Sequence, residues 1–280
     1  MLCCLCTAGQ LVHALAEDLP VWGLTSLAGN IYLWRDKVRE QVEVYDASTY
    51  RIWDYLTVPG VRGITDMASC KHYLCVYIGD PVTQCVHRLD IRSQGAATRW
   101  AVNDEPQGLS VNAAHNVIVT CRTARKIKVF SLHGECLSDV SLPDGVINPW
   151  HAIQTSSGLF ILCHGNHGDQ LHRVCMMTAD GHHIVHSHGE NWGRATGQYN
   201  VPRHLAVNDN ELVFVDDIFN RRVKLLSPTL EYVGEAVSRD QLTWRPCRVC
   251  LDTERRLLYV ADNEWKDGSW TTGRVVVFSV

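Results

Sequence analysis

Six short apolar runs recur along the 280-residue chain at nearly even spacing: IYLW (31–34), LCVY (74–77), IVTC (118–121), ILCH (161–164), FVDD (214–217) and YVAD (259–262). Their last residues are Trp34, Tyr77, Cys121, His164, Asp217 and Asp262, separated by 43, 44, 43, 53 and 45 residues. A strand-like unit of this period cannot bury its own faces and must stack on its neighbours, which means a propeller or a related array. Upstream of each run lies a mixed segment, often opened by Pro, such as PQGLSVNA, PRHLAVND or PCRVCLDT. Downstream lies a second alternating strand: QVEVY (41–45), VHRL (86–89), IKVF (127–130), LHRV (171–174), VKLL (223–226) and VVVF (275–278). A Gly- or Pro-marked turn and a fourth strand follow, for example GECLSDVSL (134–142) or LEYVGEAV (230–237). Strand–turn–strand at this spacing predicts a four-stranded antiparallel meander, and no window carries a sustained helical period.

The expected fold is therefore all-β, a six-bladed β-propeller spanning 1–280, with blades at about 20–58, 59–103, 104–144, 145–190, 199–240 and 243–280. The last unit lacks a fourth strand, and AGQLVHALAE (8–17) supplies one. Residues 1–17 are expected to close the ring by pairing with the C-terminal blade, which removes an open sheet edge. That expectation weighs against reading the N-terminus as a secretory leader ending near Ala14-Leu15-Ala16, because cleavage there would remove the clasp. The stretch also has no Lys or Arg near its start, and Gly9, Gln10 and His13 interrupt its apolar character.

Net charge is −4, so general electrostatic attraction to nucleic acid is not expected. No apolar run reaches the roughly 18 residues of a membrane span. The twelve cysteines are scattered through apolar runs and read as small buried hydrophobes of a cytoplasmic protein.

The fifth unit, VPRHLAVNDNELVFVDDIFNRRVKLLSP (201–228), resembles an NHL repeat, through Pro202, Asp217, Asn220, Arg222 and Val223. The sixth keeps Asp262 and Arg274 across a longer connection, NEWKDGSWTT. Elsewhere the pattern departs: Cys121 and Lys126 stand at the Asp and Arg places of the third unit, His164 in the fourth, and Trp34 and Tyr77 in the first two. The resemblance implies a six-bladed scaffold like the C-terminal domain of tripartite-motif/NHL proteins, which selects protein substrates for ubiquitination or binds single-stranded RNA. Any ligase activity would require a RING region that this sequence lacks. The Trp53-Asp54 dipeptide has no Gly-His partner of the WD40 kind.

First strands of a propeller line its channel, and their starts ring one mouth. The residue after each opening Pro, or its equivalent, is Trp22, Arg62, Gln107, Trp150, Arg203 or Cys247, and the next is Gly23, Gly63, Gly108, His151, His204 or Arg248. Trp22, Arg62, Trp150, His151, Arg203, His204 and Arg248 are thus expected to form a basic, aromatic partner-binding centre, since Arg forks pair with carboxylate or phosphate and aromatics anchor interfaces. The competing expectation is that these arginines pair with Asp217, Asp262 or carbonyls and tie blades together. Trp265 and Trp270 are placed on a Gly-containing loop, as a contact site or a cover for the mouth. His182, His186 and His188 share one strand face, but on an outer strand without an orienting carboxylate they are expected to be solvated. Cys247 and Cys250 point to opposite faces of a strand.

No metal or cofactor is expected. The mouth lacks the converging carboxylates of a calcium site, and no G-x-S-x-G elbow or P-loop is present. These readings favour a non-enzymatic, monomeric recognition scaffold for a protein or peptide, without membrane association. A single-stranded RNA binder is the alternative, and a metal-dependent hydrolase or lyase a distant one.

Overall fold

The computed structural model describes residues 9–35, 41–93 and 97–280. The start of the closing segment, with Cys3, Cys4 and Cys6, lies outside the described residues. Among the described residues, twenty-four strands form six four-stranded antiparallel sheets. Blade 1 comprises β2 (Val21–Leu27), β3 (Asn30–Arg35), β4 (Gln41–Asp46) and β5 (Ile52–Thr57). Blade 2 comprises β6 (Asp66–Cys70), β7 (Cys75–Asp80), β8 (Cys85–Asp90) and β9 (Ala97–Ala101), and blade 3 β10 (Pro106–Val111), β11 (Val117–Cys121), β12 (Lys126–Phe130) and β13 (Cys136–Ser141). Blade 4 comprises β14 (Pro149–Gln154), β15 (Phe160–His164), β16 (Arg173–Met177) and β17 (Ile184–His188). Blade 5 comprises β18 (Pro202–Val207), β19 (Val213–Asp217), β20 (Arg222–Leu226) and β21 (Tyr232–Val237). Blade 6 is β22 (Arg245–Asp252), β23 (Leu257–Lys266) and β24 (Ser269–Ser279), completed by the N-terminal β1 (Gln10–Ala14).

The ring closes as expected. Gln10 pairs with Ser279 and Ala14 with Val276, and beyond β1 the Asp18 and Gly273 backbones bond reciprocally at 3.0 and 2.7 Å.

Alternation within each strand decides what packs where. The second strands β7, β11, β15 and β19 are buried throughout, because both faces meet a neighbouring blade. Outer strands such as β5 and β17 are mostly exposed. The core is accordingly six apolar clusters, one at each seam between blades. At roughly 25 cal/mol per Å² of apolar area removed from water, this seam burial is the dominant stabilising contribution.

The Trp265–Trp270 segment corrects the expectation of a loop. β23 and β24 continue as a paired hairpin, with Trp265 opposite Trp270 and Lys266 opposite Ser269. Asp267 and Gly268 form its two-residue turn, at φ 51° and 80°. That left-handed pair matches the twist of the strands and suits Gly at the second position.

In five blades the register slips at the second residue of the first strand: after Val21, Pro106, Pro149, Pro202 and Pro246. A bulge of this kind re-aims side chains. Here Trp150 and Arg203, the residues after the Pro, meet in one layer, and His151 and His204, the next residues, meet in another.

Candidate functional site: the channel plug and the aromatic–arginine mouth

Blade 2 has no bulge, and its placement differs from the sequence expectation. β7 runs on through IGD, so the second strand ends at Asp80 rather than Tyr77. Asp66 pairs with Gly79, one residue before that end, as Gly108 pairs with Thr120 and Arg248 with Ala261. Asp66, not Gly63, is therefore blade 2's channel residue. Arg62 is exposed on the preceding loop, tied only through its backbone N–H to Asp80 at 2.9 Å. Blade 1 shifts likewise: Arg35, not Trp34, ends its second strand opposite Val21.

Four charged or titratable side chains meet in the channel from blades 2, 4, 5 and 6. Asp66 is sealed from solvent and His151, His204 and Arg248 nearly so. Asp66 accepts the Met67 and Leu109 N–H groups at 2.9 and 2.8 Å and His204 Nε2–H at 3.2 Å. Arg248 Nε stands 3.1 Å from the same carboxylate. His151 stacks on His204 with ring centroids 3.9 Å apart, and its Nε2 lies 2.9 Å from the Leu109 carbonyl. A carbonyl only accepts, so we assign the proton of His151 to Nε2. Gly108 makes room for this pair, since a Cβ there would stand 2.5 Å from the Trp150 carbonyl oxygen.

Burial alone would raise the Asp66 carboxyl, but His204 and Arg248 outweigh it and hold the group below the usual carboxylate range. Burial, reinforced by His204, pushes His151 down to about 3, and burial also lowers His204. At neutral pH the centre thus holds the Asp66 carboxylate against the Arg248 guanidinium, with His151 a neutral imidazole.

Among the described residues, Asp66, His151 and His204 are the one group of three ligand-type side chains whose donor atoms lie within 4.8 Å of one another. These residues do not fit a metal as they stand. Three N–H donors and the Arg248 guanidinium already occupy the Asp66 oxygens, and Arg248 supplies the cation that an ion would bring. The network is a plug that closes the channel. His151, His204 and Arg248, expected at the partner-facing mouth, lie beneath it because the bulge turns them inward.

Above the plug sits a second layer. Arg203, half-buried, has its guanidinium carbon 4.5 Å from the Trp150 ring centre and 5.3 Å from that of Trp22. Arg122 stands 3.9 Å from Trp150. Trp22 meets Trp270 edge-on at 5.7 Å, and Trp270 meets Trp265 at 5.0 Å. Trp150 is buried and donates its Nε1–H to the Gly165 carbonyl at 2.9 Å, whereas Trp265 is 37% exposed. Arg245 packs on Phe219, which stacks with His167. The fully displayed Trp192, 63% exposed, borders a cavity of about 190 Å³ with His167, His172 and Asn200.

Arg122, Arg245, Phe219 and Trp192 were not legible as site residues. Arg122, Phe219 and Trp192 lie after a second strand or between blades, where the repeat imposes no pattern, and Arg245 opens β22 just before its Pro. Trp192 sits in the extra length that stretches the fourth step to 53 residues, the one signal that marked it.

The repeat-signature residues act at the seams. Asp217 accepts Asn200 N–H at 2.7 Å, Asn220 Nδ2 and Arg222 Nε at 2.9 Å each. Arg222 and Asn220 pass on to the carbonyls of Ala195, Gln198 and Gly193, and so tie down the inter-blade loop. Asp262 does the same with Thr243, Trp244 and Arg274. Asp80 repeats the role in blade 2 by accepting the Arg62, Val82 and Thr83 N–H groups. In blade 1 the polarity is reversed: Arg35 donates to the carbonyls of Leu19, Ala16 and Gly273 and pairs with Glu43.

His182, His186 and His188 do not form a ligand cluster. A cavity of about 860 Å³ opens at the seam of blades 5 and 6 on the opposite face, between turns at Asn208 and Thr253. It lacks the convergence from several blades that marks the mouth. No helix of the described residues is long and apolar enough to cross a membrane.

No protein-family model and no curated protein sequence matches the chain. Solved structures do. The hydrazine synthase of Kuenenia stuttgartiensis superposes with a TM-score of 0.64 at 12% identity, over 93% of this chain and 97% of that one. A catalytically inactive virginiamycin B lyase of Staphylococcus aureus, solved with quinupristin, gives 0.64 at 11% identity, over 97% and 98%. A Bacteroides thetaiotaomicron protein of unknown function gives 0.66 at 14% identity, over 93% and 70%. At these identities the likeness is one of fold, and enzymes are among the neighbours. The chain is a six-bladed β-propeller.

Proposed function

We propose that this propeller is a non-enzymatic recognition scaffold that binds a protein or peptide with the mouth bearing Trp22, Arg203, Trp150, Trp265 and Trp270. The observation that carries the reading is the contrast between the two layers. The channel residues that could do chemistry are consumed in the plug, whereas in the layer above it Trp265 is exposed and Trp22, Trp270, Arg122 and Arg203 are partly so. Trp and Arg are the residues that dominate binding energy at protein interfaces. The NHL resemblance of the fifth and sixth units supports the same reading, and would make this face a substrate receptor in ubiquitination when joined to a RING-bearing partner. Single-stranded RNA is less well served: Trp150 has two guanidiniums against it, which leaves little of its face for a base to stack on.

Affinity capture from native extract, with and without nuclease treatment, tests the proposal, using the wild type beside a Trp22→Ala/Arg122→Ala double variant. The expected result is a set of proteins retained by the wild type and lost by the variant. Identical retained sets, or retention that nuclease abolishes, would overturn it.

A further inference from the structure

Arg203 differs from the arginines that tie the blades together. Arg35, Arg222 and Arg248 each contact a carboxylate and hydrogen-bond to backbone carbonyls. The Arg203 side chain makes no hydrogen bond or ion pair among the described residues, and its Nε is sealed from solvent with no acceptor. The nearby Asp216 does not serve it: one oxygen accepts the Arg203 and His204 backbone N–H groups at 2.7 and 2.6 Å, and the other is buried without a partner. Instead, Arg203 shares its surroundings with further positive charge from Arg122 and Arg248. An enclosed guanidinium without an anion is costly, and one held against two indoles is oriented in advance for a planar acceptor.

We propose that Arg203 captures a carboxylate side chain, Glu or Asp, of a peptide lying across the mouth, with Trp22, Trp270 and Trp265 holding the residues beside it. The assignment rests on the mouth being the recognition face and adds the ligand's chemistry. An acidic side chain carries its carboxylate on a methylene stem away from the peptide backbone, so it can reach a guanidinium set against two indoles, whereas an α-carboxylate brings its own backbone and side chain. A nucleic-acid backbone fits less well again, since it needs cations repeated along a path, and here they cluster at one point on a protein of net charge −4. Burial, with Arg248 beside it, draws Arg203 down to about 10, and an arriving carboxylate would relieve that strain.

The test uses the full chain and fluorescent, N-acetylated, C-amidated pentapeptide pools with a fixed central Glu or a fixed central Gln. A Gln pool with a free C-terminus and a pool of short single-stranded RNA complete the set. The wild type is expected to bind the Glu pool tighter than the Gln pool by at least about tenfold. Arg203→Ala should erase that preference, and Arg203→Lys should fail to restore it, because an ammonium lacks the flat bidentate fork. Thermal unfolding of both variants checks that they are folded. Equal binding of the Glu and Gln pools, both weakened by Trp22→Ala, would sink carboxylate capture and leave the recognition face standing. Stronger binding of the free-terminus pool would overturn the side-chain assignment. No binding of any peptide, or binding of RNA alone with a steep salt dependence, would overturn both readings.

Discussion

Arg248 and Arg203 leave the first strands of adjacent blades, and a bulge sends them to different layers of the same channel. Arg248 turns inward, meets the sealed carboxylate of Asp66 and becomes part of the plug. Arg203 turns to the mouth and meets indole rings, and its side chain forms no ion pair among the described residues. The two layers use the same residue type for opposite ends. Where the chain supplies the counter-charge, arginine joins distant blades; where it supplies only aromatic faces, the charge remains available to something else. Paired charges inside a protein are weak evidence for net stability, yet breaking such a pair is expensive because one charge is left stranded.

That asymmetry makes the comparison breakable. The largest effect is expected from Asp66→Asn, which strands Arg248. It should cost on the order of 3–5 kcal/mol in urea unfolding, and an unchanged midpoint would deny the plug its structural role.

Acid is next. Unfolded histidine titrates near 6.5, while burial holds His151 near about 3 in the folded protein. Between those values the unfolded chain binds the extra proton, so this stabilisation is complete above about pH 6.5 and lost as pH falls. By about pH 5 roughly 2 kcal/mol should be gone. Asp216 works in the opposite sense: burial pushes its carboxyl up to about 7, so the folded protein holds a proton there that the unfolded chain releases, and stability rises as pH falls from about 7 toward 4. His151→Gln removes the first slope and leaves the second. The difference between wild-type and variant urea curves at pH 5 and pH 7.5 isolates it, and a pH-independent difference would rule out the burial account.

At the mouth, Arg203→Ala should change stability by no more than about 1 kcal/mol, the scale of its aromatic contacts, although the same substitution is expected to abolish the Glu preference. A loss as large as that of Asp66→Asn would move Arg203 into the plug. The smallest effect belongs to Arg62→Ala, within about 0.5 kcal/mol by thermal unfolding, because its side chain is exposed and only its backbone is tied to Asp80.

How much of this was legible follows from what repeats. Trp22, Trp150 and Arg203 could be placed at the mouth because the Pro-equivalent before each marks the strand start. Asp66 could not. In blade 2 the run LCVY ends at Tyr77 as an apolar block, whereas the strand itself continues for three residues to Asp80. That one slip moved the blade's channel residue from Asp66 to Gly63 and made Arg62 look equivalent to Arg203. The Trp265–Trp270 connection read as a loop because Lys, Asp and Gly interrupt its alternation, yet cross-strand pairing of its own residues suffices to make it a hairpin.

By itself the sequence determined the six modules, their antiparallel strand order and the N-terminal clasp, because alternation and period are local properties that repeat in every blade. Only the tertiary structure decided which charges meet. Asp66 and His204 are 138 residues apart, and Val21 and Asn263 242 apart. Whether a guanidinium is neutralised or left open depends on what the closed ring brings to its tip, and no short-range pattern records that.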